Sequence, residues 1–268
     1  MMSRLPETKN LILNFQDGWL TIWFNRTDNR NALSVELVNE LRDTLKSVRD
    51  NRTVRGITFR GKGGVFCAGA DLKGLKSLID TDAQKEEIAN FSKVIGHFFE
   101  LVNTMPQVTI MVIEGAAIAG GFGLACTGDV TIVPKDTQFA LSETMLGLTP
   151  AQISPFVIHR LGSALGRRVM LTGARFNGEK AAQVGLADFI GSDEAELTNL
   201  EQKIKTQVLR CAPRAIGITK ELIQSIPGLS KEKRITMMAD NFAESVLGEE
   251  GREGIASFME KRKPKWNK

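Results

Sequence analysis

The sequence predicts an α/β fold built from repeated strand–helix units and completed by a helical carboxyl-terminal segment. Short apolar runs typical of strands recur as far as residue 192, with amphipathic helical patterns between them. Glycine-rich stretches follow two of these strands, which is where α/β folds place their ligands. Strand patterns end at about Asp193, and only helical patterns follow. We therefore expect a core over residues 1–192 and a helical oligomerisation segment over residues 193–268.

The chain opens with a predicted β-hairpin. LILNF and WLTIWF alternate apolar and polar residues on either side of Asp17-Gly18, a common hairpin turn. After the polar loop NRTDNRNALS, Ser34 is predicted to cap a helix. The apolar face of that helix repeats at helical spacing through Val38, Leu41, Leu45 and Val48.

Strands and longer helices alternate in the central part of the chain. VRGITFRG is a predicted strand, and the glycine-rich KGGVFCAGADL follows it. A long helix through FSKVIGHFFELV precedes the apolar strand VTIMVI, and a second glycine-rich stretch leads from there to the strand VTIV. Near the carboxyl terminus, ITKELIQSI and RITMMADNFAESVL are amphipathic helical patterns. Their Met and Phe stripes indicate either core or a subunit interface.

Composition excludes several classes of protein. The 268 residues are 42% hydrophobic and 25% charged, as in globular proteins that need no disulfide or metal for stability. No apolar run approaches the roughly 20 residues of a membrane span. Residues 1–10 lack the apolar stretch of a secretory signal. We expect a cytoplasmic protein that does not associate with membranes.

Cysteine and histidine usage argues against a metal centre. Cys67, Cys126 and Cys211 are widely spaced without any CxxC, so we expect reduced thiols rather than disulfides or a zinc site. His97 and His159 are the only histidines, and both lie on apolar helical patterns. We expect them to pack at helix boundaries rather than to bind metal or serve a Ser-His-Asp triad.

The net charge of +4 is mild and compatible with a polyanionic ligand such as a nucleotide phosphate. Basic residues concentrate in the tail, which we expect to be solvated and frayed. They are Lys261, Arg262, Lys263, Lys265 and Lys268. Nucleic acid is not an expected partner, because the chain has no known motif and no aromatic interleaving beyond Trp266.

Two glycine-rich loops are the candidate chemical centres. Neither has the spacing of a dinucleotide fingerprint or a phosphate-binding loop. Their small residues let the backbone approach a ligand closely with exposed N–H groups. These residues are Ala68, Gly69 and Ala70 in the first loop, and Ala119, Gly120 and Gly121 in the second. FGLACT resembles the first turns of a helix whose dipole would add to an oxyanion hole. Loops required only for packing remain the alternative.

Taken together, VFCAGADLK, EGAAIAGGFGLACTGDV and FALSETMLGLTP resemble the crotonase superfamily, the enoyl-CoA hydratase/isomerase family. The likeness extends upstream to NRTDNRNALS and downstream to LTGARFNGEKAAQVGLAD and FMEKRKPKW, and so covers nearly the whole chain. It implies a crotonase-like spiral of ββα units with a helical carboxyl-terminal segment, assembled as a homotrimer or a dimer of trimers. It also implies an acyl-CoA thioester substrate and no separate cofactor, since coenzyme A is part of the substrate.

The resemblance assigns roles to residues of both loops. Ala68 and Gly120 match the two backbone donors to the thioester oxygen, with Gly121 beside them. The positions that match family contacts to the adenine and pantetheine of CoA are Ala32, Ala70, Asp71 and Leu72. Arg30 and Lys62 are weaker phosphate candidates. In the family, the basic tail can also reach the CoA of its own or a neighbouring subunit.

The catalytic carboxylates differ from the pattern of family hydratases, which hold a water between two glutamates. Glu143 matches the second glutamate, whereas Gly123 stands at the position of the first. Glu143 is therefore the predicted general acid/base, and partial burial should raise its pKa. Gly123 suggests extra room for a bulky or carboxylated acyl group. Gln152 is a candidate to orient the water, because an amide both donates and accepts; Ser142 and Thr149 are weaker alternatives.

Three functions remain open. The segment ALSETMLGLTPAQISPFVIHRLG looks most like bacterial hydratases of branched 3-methylglutaconyl-type or isohexenylglutaconyl-type CoA esters, and this favours an enoyl-CoA hydratase. A single glutamate also suits an enoyl-CoA isomerase. A non-catalytic acyl-CoA-binding or RNA-binding protein of the same fold is the third possibility.

Overall fold

The structure is a computed structural model that describes residues 5–81 and 83–267. Within this part of the chain, the strands form one six-stranded and one three-stranded sheet. In chain order the strands are β1 (Leu11–Gln16), β2 (Trp19–Phe24), β3 (Gly56–Gly61), β4 (Val108–Val112), β5 (Ala116–Ile118), β6 (Val130–Pro134), β7 (Gln138–Ala140), β8 (Arg175–Asn177) and β9 (Phe189–Gly191). The α-helices are α1 (Val35–Val48), α2 (Leu72–Asp80), α3 (Lys85–Asn103), α4 (Gly120–Thr127), α5 (Ser154–Thr172), α6 (Gly178–Gln183), α7 (Glu194–Leu209), α8 (Pro213–Ser225), α9 (Lys231–Leu247) and α10 (Glu249–Met259).

The two sheets share the chain strand by strand. The larger sheet has the order β1-β2-β3-β4-β6-β9, in which β1 and β2 are antiparallel and the other pairs are parallel. The smaller sheet has the order β5-β7-β8. From β4 to β7, successive strands alternate between the sheets, and a helix follows each pair: β4, β5, α4, then β6, β7, α5. This alternation is the predicted repetition of ββα units.

The predicted hairpin and first helix are confirmed. Gln16 pairs with Trp19 across a turn in which Asp17 and Gly18 both have positive φ, as hairpin turns with a matching twist require. The Ser34 hydroxyl accepts a hydrogen bond from the Leu37 N–H at 3.3 Å and so caps α1. All four predicted apolar positions of that helix are buried.

Hydrophobic clusters cover both faces of the six-stranded sheet. The larger cluster joins strand residues such as Phe24 and Phe59 to α1, α3 and α4. The smaller cluster places Leu197, Ile204 and Val208 of α7 against the other face. The strands end at Gly191, as predicted, but α7 packs on the sheet, so the core contacts extend beyond residue 192.

The last helices leave large apolar side chains in solvent. No residue of α8 or α9 is buried, and Phe242 on α9 and Phe258 on α10 are 72% and 82% exposed. These faces are those from which the sequence predicts a subunit interface.

The basic tail is more ordered than the predicted frayed terminus. The Arg262 guanidinium donates to both carboxylate oxygens of Glu253, and the Trp266 indole donates to the Arg210 carbonyl at 3.1 Å. Arg55 in turn donates to the Trp266 carbonyl at 3.2 Å. Residues 262–266 are therefore tied to the preceding helices, while Lys268 lies outside the described residues.

Among residues 5–81 and 83–267, no group of three or more His, Cys, Asp or Glu side chains could hold a metal ion. His97 and His159 lie within α3 and α5 and are exposed, so the prediction that they pack at helix boundaries is wrong. All three cysteines are free thiols, and burial raises the pKa of Cys67 and of Cys126 to about 12. Over residues 5–81 and 83–267, no helix combines the length and apolar character of a bilayer span.

Candidate active site

The two glycine-rich loops lie side by side because the first loop pairs with β5, the strand that leads into the second. The Cys67 N–H donates to the Ala116 carbonyl at 3.1 Å, and the Ile118 N–H donates to the Cys67 carbonyl at 3.0 Å. On its other side, the first loop accepts a hydrogen bond from the Leu33 N–H at the Gly69 carbonyl, at 2.8 Å. Residues 67–70 are thus held between β5 and the segment that precedes α1.

Two glycines allow this close approach. Gly69 has φ +96°, and a Cβ added there would lie 2.9 Å from the Ala119 Cβ. A Cβ on Gly121 would lie 2.3 Å from the Cys67 carbonyl oxygen. Gly121 therefore serves loop packing and is absent from the cavity lining described below.

One of the predicted backbone donors is already occupied. The Ala68 N–H donates to the Arg30 carbonyl at 3.0 Å, which is inconsistent with its prediction as a free donor to the substrate. The Ala70 N–H, by contrast, has no acceptor in the part of the chain that the structure describes. The Ala70 nitrogen lies 3.8 Å from the position that a Gly120 Cβ would take. Ala70 therefore replaces Ala68 as the candidate donor beside Gly120.

The Gly120 amide is available because it begins α4. The first hydrogen bond of that helix runs from the Gly123 N–H to the Ala119 carbonyl, so the preceding amides have no acceptor within the helix. The positive end of the helix dipole lies at the same point. Ala119 adopts φ 50° and ψ −116°, a conformation that costs about 1–3 kcal/mol in a residue other than glycine. Such local strain often accompanies a binding site.

Glu143 reaches this site through the pairing of β5 with β7. Ile118 pairs with Ala140, and the Ala119 N–H donates to the Ala140 carbonyl at 2.8 Å. The chain then turns into a short 3-10 helix, Glu143–Leu146. Glu143 Oε2 is buried without a hydrogen-bond partner in the described chain, and burial raises the pKa of this carboxyl group, although a backbone hydrogen bond opposes the shift.

A cavity of about 340 Å³ joins these groups. Ala68, Ala70, Gly120 and Glu143 contribute to its lining, and α2, α3 and residues 146–153 form its walls. The walls are largely apolar, with Leu75, Ile88, Phe91, Ile95, Phe99 and Leu148. Among the described residues that line it, Glu143 is the only one with a charged side chain. The site can therefore enclose an apolar chain beside one carboxylate and a pair of free amides.

Gly123 does not provide the extra room that its position suggests. A Cβ on Gly123 would lie 2.2 Å from Ile153 Cγ2, and Gly123 itself is buried outside the cavity lining. Ile153 fills the space that a side chain at position 123 would need. The prediction of additional volume beside Gly123 for a bulky or carboxylated acyl group is therefore wrong.

Gln152 lines the cavity and is fixed against α3. Its Nε2 donates to Ser92 Oγ at 2.9 Å, and its Oε1 lies against Gly96, where a Cβ would be only 2.1 Å away. Ser92 and Gly96 could not be predicted from the sequence, because their roles depend on contact with Gln152, which lies about 60 positions along the chain. The contact of Ile153 with Gly123 could not be predicted either, because it also joins distant segments.

The predicted CoA-contacting residues divide into two groups. Leu72 lines the cavity together with Ala70. The carboxylate of Asp71 caps α2 and forms an ion pair with the Arg26 guanidinium at 3.1 Å. The same guanidinium donates a hydrogen bond to the carbonyl oxygen of the buried Ala32. Arg30 and Lys62 do not line the cavity. Arg30 is exposed, and the Lys62 ammonium lies 3.8 Å from the centre of the Trp23 ring.

The family model for enoyl-CoA hydratase/isomerase matches residues 14–268. The structure of AtuE from Pseudomonas aeruginosa is 41% identical with a TM-score of 0.94, and the match covers 97% of this chain and all of that one. An enoyl-CoA hydratase/isomerase from Marinobacter aquaeolei is 35% identical with a TM-score of 0.92, covering 97% and 99% of the two chains. The human enoyl-CoA hydratase domain-containing protein 2 is 31% identical over 93% of this chain and 85% of its own length.

Proposed function

Because the chain belongs to the enoyl-CoA hydratase/isomerase family, whose substrates are acyl-CoA thioesters, we propose that it hydrates the α,β double bond of an enoyl-CoA. The observation that carries the proposal is the meeting of the Ala70 and Gly120 amides with the buried, unpartnered carboxylate of Glu143 in one cavity.

The two amides supply the electrostatic part of the reaction. Water addition at the β-carbon moves negative charge onto the thioester oxygen, and donors fixed in advance stabilise that charge. Each donor is expected to contribute about 3–4 kcal/mol, as comparable donors do in acyl transfer. The dipole of α4 adds to the contribution of the Gly120 amide.

Glu143 supplies the proton transfers. Its ionised carboxylate takes one proton from the attacking water while the oxygen bonds to the β-carbon, and the protonated group then delivers a proton to the α-carbon. The carboxylate is thereby regenerated, and the product is a 3-hydroxyacyl-CoA. Because burial raises the pKa of Glu143, its protonated form is easier to reach, and the group can both accept and return a proton.

We further propose that the acyl chain of the substrate is branched. Residues 140–162 resemble hydratases of branched esters, and the apolar walls suit a hydrocarbon branch. The space beside Gly123 gives no support, since Ile153 fills it.

Isomerisation of the double bond is the alternative that the site favours next. Glu143 is the only charged side chain among the described cavity residues, and one carboxylate can move a proton between two carbons without any water. A non-catalytic acyl-CoA-binding or RNA-binding role would leave the free amides and the buried carboxylate without a purpose.

To test the proposed hydration, the protein is incubated with 3-methylglutaconyl-CoA, crotonyl-CoA and a 3-enoyl-CoA in oxygen-18 water. The proposal predicts label in the 3-hydroxy product and loss of that product in Glu143→Gln, with CoA-ester affinity nearly unchanged. A shifted double bond without label would establish isomerisation instead. Turnover of none of the esters would favour a binding role, and full activity of Glu143→Gln would exclude the role assigned to this carboxylate.

A further inference from the structure

We infer that Gln152 orients the attacking water and that Ser92 and Gly96 of α3 hold its amide in place for this task. The inference rests on the proposed hydration and names the group that performs the role of a second carboxylate from a different position.

Gln152 is held from two directions. Its Nε2 donates to Ser92 Oγ at 2.9 Å, a contact between the loop of residues 148–153 and α3. Its Oε1 occupies the space where any residue other than glycine at position 96 would place a Cβ, at 2.1 Å. Glycine in the middle of a long helix is destabilising relative to alanine, so this contact is made at a cost in helix stability.

The fixed amide keeps unused hydrogen-bonding capacity. A glutamine side chain has two N–H donors and an acceptor oxygen. Ser92 takes one donor, and neither the second donor nor Oε1 has a partner in residues 5–81 or 83–267. Gln152 lines the cavity that also contains Glu143. The second N–H of the amide can therefore donate to a water molecule in the cavity that Glu143 also lines.

Hydration needs such a group because the usual position of a second carboxylate is closed. Ile153 fills the space over Gly123, and Glu143 is the only charged side chain among the described lining residues. A water held by one carboxylate alone is free to turn, and misplacement of a reactant by about 1 Å can cost roughly 10²-fold in rate. Gln152 fixes the water without titrating, so the proton still passes to Glu143.

The most direct test displaces the amide without altering it. In Gly96→Ala, the new Cβ would meet Gln152 Oε1 and Cδ at 2.1 and 2.8 Å, and the flexible side chain must move. Alanine favours a helix more than glycine does, so the fold should persist. We expect hydration of crotonyl-CoA to fall about 10²-fold, while deuterium exchange at the α-carbon of butyryl-CoA in D₂O stays within about twofold. That exchange needs Glu143 and the amides but no oriented water, so the two rates separate orientation from general damage.

Companion variants complete the test. Gln152→Ala should reproduce the split between hydration and exchange, Ser92→Ala should weaken hydration, and Ser92→Thr should restore it by keeping a hydroxyl acceptor. Gly74→Ala is the matched control, since Gly74 lies in α2 with no atom within 4 Å of an added Cβ. Hydration unchanged in Gly96→Ala and Gln152→Ala would overturn the inference alone. Equal loss of hydration and exchange would also overturn it, in favour of a purely structural role. Absence of hydration by the wild-type protein would refute the proposed function as well.

Discussion

Single residues of the site show where function is placed at the expense of stability. Glu143 Oε2 is buried without a partner, and burying a polar group without a hydrogen bond destabilises a fold. The sequence predicted this carboxylate and the raised pKa from the apolar residues around it. It could not predict that Ala68 donates to the Arg30 carbonyl or that Ile153 covers Gly123, because both depend on contacts between distant segments.

Replacing Glu143 should stabilise the protein in a pH-dependent way. Since burial raises the pKa of Glu143 above its ordinary value of 4.5, folding is penalised once the group ionises. The penalty is absent below pH 4.5 and grows as the pH rises through the higher pKa of the folded state. Glu143→Gln should therefore have a higher Tm than the wild type at pH 7 and nearly the same Tm at pH 4, by calorimetry. A lower Tm for the variant at pH 7 would show that the buried, ionised carboxylate does not destabilise the folded state.

Gly123 should tolerate a side chain poorly, despite its small size. Gly123→Ala forces a Cβ against Ile153, and overpacking of a core costs typically about 1–3 kcal/mol. The cost in free energy of unfolding should shrink in an Ile153→Ala background, which a double-mutant cycle measures by urea denaturation. Gly74→Ala serves again as the helical control and should be neutral or stabilising by up to about 1 kcal/mol. If Gly123→Ala lowered the free energy of unfolding equally in both backgrounds, Ile153 would not be the residue that its Cβ meets.

Whole elements position the site through strand pairing. The β5–β7 pair aligns Ile118 with Ala140, and the bridge of Cys67 to Ala117 brings the first loop to the same edge. The order of strands, helices and glycine-rich loops was predictable from local patterns, because turn residues and apolar spacing are local signals. The second sheet was not, since β5, β7 and β8 are three residues each and too short to show a periodic pattern.

The carboxyl-terminal tail should loosen when its ion pair is removed. The hydrogen bond from Arg262 lowers the pKa of Glu253 to about 2, so the contact is complete above pH 4.5 and is lost as the pH falls toward 2. Arg262→Ala should accelerate amide hydrogen exchange over residues 260–267 at pH 7. Lys263→Ala is the control, because the Lys263 side chain is exposed and has no ion pair among the described residues. Unchanged protection in Arg262→Ala would show that the Trp266 contacts alone hold the tail.

The whole molecule exposes apolar surface that a single copy does not bury. Phe242 and Leu247 of α9 are 72% and 66% exposed, and Phe258 of α10 is 82% exposed. Exposed apolar patches of this kind mark interaction surfaces. The predicted homotrimer or dimer of trimers would cover them.

A charge on this surface should weaken assembly. We expect the wild-type protein to elute as a trimer or hexamer in size-exclusion chromatography with light scattering, and Phe258→Glu to shift the mass toward the monomer. Asn199→Glu, on the exposed face of α7, introduces the same charge as a control and should leave the mass unchanged. A monomeric wild-type protein at micromolar concentration would rule out the assembly.

The proposed mechanism depends on the amides of Ala70 and Gly120, which together would hold the thioester oxygen. The decisive measurement is infrared difference spectroscopy of a carbon-13-labelled enoyl thioester of CoA bound to Glu143→Gln, which does not turn it over. Two backbone donors polarise the carbonyl, so its stretching frequency should fall well below the value in water. A frequency equal to that of the free thioester in water would show that the two amides do not bind the carbonyl oxygen.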